Sequence, residues 1–170
     1  MRATVGAALA LLSAILFPLF LGLWLWAVPA GAQGDGRSVA AQRYDADLAV
    51  QQGGDVLVRE TLQIAFQGGP FTQGYRRIPL ARLEGVSDVQ VEQTAPEAVT
   101  LRRGDGQAYT YALSGQTQGG GTGSGDLRID WWFPPTTNAV RTFVISYRAQ
   151  GAVRYYDGGD QLYWDVTGND

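Results

Sequence analysis

Two patterns of hydrophobicity divide the chain. From Ala3 to Ala32 the only polar side chains are the hydroxyls of Thr4 and Ser13, and nothing about the run is amphipathic, so it is not a surface helix of a folded core. Arg2 gives it a positive start, and Ala30 and Ala32 are the small residues that signal peptidase accepts, so the segment reads as a secretory signal cut between Ala32 and Gln33. The run also exceeds the ~18 residues that suffice to cross a bilayer, so retention as a membrane anchor is the alternative. Pro18 and Gly22 weaken its helix. Both readings send the rest of the chain out of the cytoplasm.

After a polar spacer over 33–43 the pattern changes to period two, the signature of half-buried strands. Tyr44, Ala46, Leu48 and Val50 alternate with Asp45, Asp47 and Ala49. Gln52-Gly53-Gly54-Asp55 is a hairpin turn, since paired glycines supply positive φ without strain. Val56, Val58, Glu60, Leu62, Ile64 and Phe66 then share one face of a long strand, which Gly68-Gly69-Pro70 ends. Residues 71–80 read as a loop. Val86, Val89 and Val91 predict a strand with a bulge or register change. Val99 and Leu101, then Tyr109 to Leu113, predict a hairpin across Arg103-Gly104-Asp105-Gly106. Residues 114–126 have no apolar anchor and read as a flexible loop. Strands follow at Leu127 to Phe133, Thr142 to Ala149 and Leu162 to Val166. About eight strands without an amphipathic helix predict an all-β domain over 44–170, an antiparallel β-sandwich of immunoglobulin-like or jelly-roll-like type, with a barrel as the alternative.

Composition removes whole chemistries. The chain has no cysteine and no histidine, which excludes disulfides, thiol nucleophiles, zinc sites built on those residues and serine–histidine catalysis. Carboxylate chemistry, or a hard cation held by oxygens, is what remains to an enzyme. Net charge is −3, all 13 cations are arginine, and no basic run marks a nucleic-acid partner.

The order of Tyr44-Asp45, Asp55-Val56-Leu57-Val58-Arg59-Glu60-Thr61-Leu62, Phe66 and Tyr75-Arg76-Arg77-Ile78-Pro79 resembles the start of the DUF2207 family of predicted membrane proteins. Arg141-Thr142-Phe143 through Tyr147, Gly151-Ala152-Val153 and Leu162-Tyr163-Trp164-Asp165-Val166-Thr167-Gly168 extend the resemblance over most of 40–168. It implies an exported β domain followed by transmembrane helices. No second apolar span occurs before Asp170, so those helices are expected beyond it, the chain being a fragment. The resemblance implies no activity and no cofactor.

Five groups of residues are candidates for chemistry. Glu60 sits on an apolar strand face, where a lone carboxylate is costly, so it requires a partner. Arg76 is the first choice, favoured by the resemblance, and Arg77 the second; the pair would fix the 71–80 segment to the sheet as a structural ion pair, with a catalytic acid the alternative. Asp157-Gly158-Gly159-Asp160 with Asp165 is the best oxygen cluster, but it lacks the alternating ligands of a calcium loop and reads as a turn. Trp131 and Trp132 must face opposite ways in a strand. Trp131 aligns with Ile129 and Phe133 and is the core candidate, which leaves Trp132 as a ligand-contact aromatic or one covered by a neighbour. Tyr155, Tyr156, Tyr163 and Trp164 form an aromatic group suited to an interface. The glycines of 119–125 lack the lysine and following helix of a phosphate loop. The reading is thus a non-enzymatic extracytoplasmic domain for interaction or sensing, held to the membrane by its N-terminal segment and by helices beyond Asp170. A carbohydrate or cell-wall binding module using Trp132 is second, and a carboxylate-based hydrolase third.

Overall fold

The computed structural model describes residues 36–115 and 125–162. The apolar N-terminal segment, the Ala32–Gln33 junction, residues 116–124 and most of the predicted last strand lie outside the described residues. Eleven strands and no helix make up the described chain. They are β1 (Ser38–Val50), β2 (Val56–Gln67), β3 (Phe71–Pro79), β4 (Gly85–Ala95), β5 (Val99–Thr100), β6 (Arg102–Arg103), β7 (Thr110–Gly115), β8 (Asp126–Thr136), β9 (Ala139–Gln150), β10 (Val153–Arg154) and β11 (Gln161–Leu162). One sheet has the order β1-β2-β9-β4-β5, the second β3-β8-β7-β6, and β10 pairs with β11. All pairings are antiparallel except that of β6 with β7.

Period-two alternation explains how the two main sheets meet. Val56, Val58 and Phe66 on β2, Phe143, Ile145 and Tyr147 on β9, and Leu127, Ile129, Trp131 and Phe133 on β8 all point into one core. Its spine is a run of tilted rings from Phe71 through Phe66, Phe133 and Phe143 to Trp131, with neighbouring centroids 5.2–5.5 Å apart. Such pairs each add about 0.5–1.5 kcal/mol beyond the area they bury. Gly53 and Gly54 take φ of 95° and 92° in the β1–β2 turn, where paired glycines are required. The register of β4 against β9 shifts between Ser87 and Gln90, around Asp88 at φ 56°.

Three expectations need correction. The first strand begins at Ser38, so most of the expected spacer is sheet. Ser38 to Ala41 pair with Gln67 to Ile64, and at a sheet edge no apolar face is needed to hold them. Residues 71–79, read as a loop, are strand β3, paired with β8. The alternation is hidden because its inward positions are Gly74, Arg76 and Ile78, only one of them apolar. The hairpin across residues 103–106 does not form. Val99–Thr100 pairs with β4 in the first sheet, the chain crosses at the buried Leu101, and Arg102–Arg103 runs parallel to β7 in the second.

Gly74 is a close-approach site. It lies opposite Trp131 across the β3–β8 pair, and a Cβ there would stand 2.6 Å from the indole ring. Glycine therefore lets the largest core side chain lie across β3. Gly74→Ala is expected to displace the indole and cost about 1–3 kcal/mol, read as a lower urea midpoint. An unchanged midpoint would show that the indole does not need that space.

Candidate functional site

Glu60 is wholly buried, the only acidic residue so placed among the described residues. Strand parity puts it on the inner face of β2, opposite Ala46 of β1 and Ile145 of β9. Arg76 reaches it from β3 in the facing sheet. Nε donates to Oε2 at 2.9 Å and Nη2 to Oε1 at 3.2 Å, a two-pronged pair. Tyr147, one step diagonal on β9, donates its hydroxyl to Oε1 at 2.8 Å. Tyr44, diagonal on β1, accepts from Arg76 Nη2 at 3.4 Å. The remaining prong, Nη1, donates to the Arg77 carbonyl at 2.8 Å. Arg77 itself points outward and takes no part through its side chain.

The electrostatics fit a closed clamp. Burial, and then the Glu60 charge, push the phenols of Tyr147 and Tyr44 well above their ordinary value. Burial works against the Arg76 charge, but the hydrogen bonds and charge of Glu60 prevail and hold the guanidinium more firmly protonated. Both oxygens of Glu60 are engaged inside the core.

A second buried network was missed by sequence reasoning. Arg141 lies on the inner face of β9, 7 % exposed, with its guanidinium 5.4 Å from the Phe133 centroid. Nε donates to Thr136 Oγ1 at 2.6 Å and Nη1 to Gln93 Oε1 at 2.7 Å. Gln93 in turn donates to Glu97 Oε1 at 2.9 Å, which also accepts from the Tyr109 hydroxyl at 2.6 Å. That hydroxyl, and then Gln93, hold the Glu97 carboxyl below the usual range. The signal was present: Arg141 shares the parity of Phe143, Ile145 and Tyr147, the same argument that singles out Glu60.

The tryptophans divide by face. Trp131 is buried in the core, and no protein acceptor meets its Nε1. Trp132 is half-buried on the outer face of the second sheet, between Gln73 and Thr110. On that face Arg128 grips Asp130 through three contacts of 2.8–2.9 Å and lies 4.3 Å from the centroid of the half-exposed Tyr75. The Arg77 guanidinium lies 5.7 Å from the same ring. Asp157 and Asp160 are exposed in the turn between β10 and β11, and Asp165, Tyr163 and Trp164 lie outside the described residues. No three acidic side chains gather as a metal site among the described residues.

A cysteine-free β-sandwich locked by a buried carboxylate–guanidinium clamp is the class of domain these features define. The family model for the N-terminal domain of predicted membrane proteins, DUF2207, matches residues 40–170. The chain belongs to that family, and with it to the predicted membrane proteins. No curated protein and no solved structure matches it.

Two outcomes test the clamp. Glu60→Leu or Arg76→Met alone is expected to cost about 3–5 kcal/mol by urea unfolding, while the double variant recovers most of the loss, because each single change strands a buried charge. Additive losses would show that the groups do not act as a pair. In alkaline titration followed by ultraviolet absorbance, Tyr44 and Tyr147 are expected to stay protonated while exposed tyrosines ionise. Their folded-state values are raised. The stability they contribute is therefore full below the unfolded value of about 10 and falls away as pH rises above it. Replacing Tyr147 with Phe should flatten that alkaline limb.

Proposed function

We propose that this domain is a non-enzymatic interaction module displayed on the extracytoplasmic side of the membrane. The observation that carries the reading is where the ionisable groups are committed. Glu60, the buried carboxylate, is spent joining the two sheets, while guanidinium groups and aromatics stand on an outer sheet face together with Asp126 and Asp130. Family membership among predicted membrane proteins and the apolar run from Ala3 to Val28 support the location. A carbohydrate-binding role is the second reading, favoured by the outward placement of Trp132 on the sheet face that also carries Tyr75 and Arg128.

The absence of cysteine makes the location directly measurable. Thr137 is exposed in the turn between β8 and β9, and Thr137→Cys gives the chain a single thiol. A membrane-impermeant maleimide is expected to label this variant on intact spheroplasts. Labelling only after lysis would place the domain in the cytoplasm and end the reading.

A further inference from the structure

Strand β8 lies inside the second sheet, with β3 on one side and β7 on the other. Its backbone is spent on those two pairings, so a ligand on the outer face meets side chains. The outward charges on these three strands are Arg77 and Arg128 against Asp126 and Asp130, and neither sign prevails. Beyond them, Arg102 on β6 shares a shallow cavity with Asp105.

The polar groups of this face are fixed in place but not used up. Arg128 grips Asp130 through Nε and Nη2, and Gln73 Nε2 donates to Asp130 Oδ1 at 3.1 Å. The Arg128 side chain is still 34 % exposed and that of Asp130 14 %. Among the described residues, no hydrogen bond engages Arg128 Nη1, the side-chain carbonyl of Gln73 or the indole N–H of Trp132. Asp130 Oδ2 accepts only from Arg128 Nε and keeps room for a second donor. Spare donors and spare acceptors therefore share one short stretch. Arg128, Asp130 and Trp132 stand at alternate positions of β8, about 13 Å from first to last. Beside them Ser114 and Ala112 of β7 are short, which leaves a ledge along the taller side chains.

We propose that this ledge binds an uncharged polysaccharide. A sugar hydroxyl both donates and accepts, so spare donors and acceptors standing side by side match it. A polyanion would meet Asp126 and Asp130, and a cation would meet the arginines. A carboxylate already held by a guanidinium accepts from neighbouring hydroxyls without moving. The outward Trp132 indole, half-buried, offers apolar surface to the C–H face of a sugar ring, and the half-exposed Tyr75 adds to it from the diagonal position on β3. A peptide could not add to the sheet here, because β8 is an inner strand. The inference rests on the interaction-module reading and deepens its carbohydrate form.

The test uses the full chain in micelles of a detergent without a sugar headgroup, run through native gels that hold hydroxyethylcellulose, galactomannan, dextran or polygalacturonate. Retardation is expected in at least one of the three neutral gels, and it should persist as salt rises because no net charge is being screened. Trp132→Ala and Asp130→Ala are each expected to weaken it about tenfold or more. Gln73→Ala, at an exposed position, should weaken it about threefold, and it carries the test if a urea midpoint shows either of the others to be unfolded. Asp126→Asn, outside the ledge, should leave it unchanged. Retardation confined to polygalacturonate, or none in any gel, would end the proposal. So would a neutral-gel retardation that the folded variants leave intact, or one that Asp126→Asn weakens as much as they do. Surface labelling of Thr137→Cys would still succeed in each of those cases if the module reading holds, so the two fail separately.

Discussion

A carboxylate cut off from water, and the guanidinium that faces it across the core, hold the two sheets in one arrangement. Neither Glu60 nor Arg76 tolerates being buried alone, so their sheets must meet where the two groups meet. The constraint spreads along β2. A slip of one residue would turn Glu60 outward and carry Val58 and Phe66 out of the core with it. Tyr147 and Tyr44, on the strands at either side, complete the hydrogen bonds that a buried pair needs. An apolar replacement of similar shape can match such a pair in stability. Its distinctive effect here is to fix which positions of β3 face which positions of β2.

Period-two alternation accounts both for what was legible in the chain and for what was not. The long strand β2, the division of Trp131 from Trp132 and the burden on Glu60 all follow from parity, because their neighbours are plainly apolar. Strand β3 was invisible to it, since glycine fills one inward position to admit an indole and arginine another to meet a carboxylate. Arg76 entered the reading through family resemblance rather than through alternation. Arg141 carried the same signal as Glu60 and went unread beside the strongly apolar Phe143 and Ile145. Its partners come from β4, the following loop and β8, and that meeting depends on sheet order rather than on any local pattern.

Sheet order also sets the character of the surface. No run of basic residues occurs in the sequence, yet the order β3-β8-β7-β6 brings Arg77, Arg128 and Arg102 onto one face, with Asp126 and Asp130 among them. The buried polar groups are occupied with each other. For a member of a predicted membrane-protein family, a rigid core with its chemistry outside is a coherent division of labour.

The edges of the two sheets have a further consequence. The long outer strands β1 and β3 each break register near one end, β1 by one residue between Ala41 and Arg43 and β3 by two between Phe71 and Gln73. The opposite edges, β5 and β6, are two residues long. Irregular, charged or very short borders are poor templates for another strand. Copies of this domain crowded together on a membrane would therefore meet through side chains rather than zip into a continuous sheet, and each would keep its own identity at high surface density.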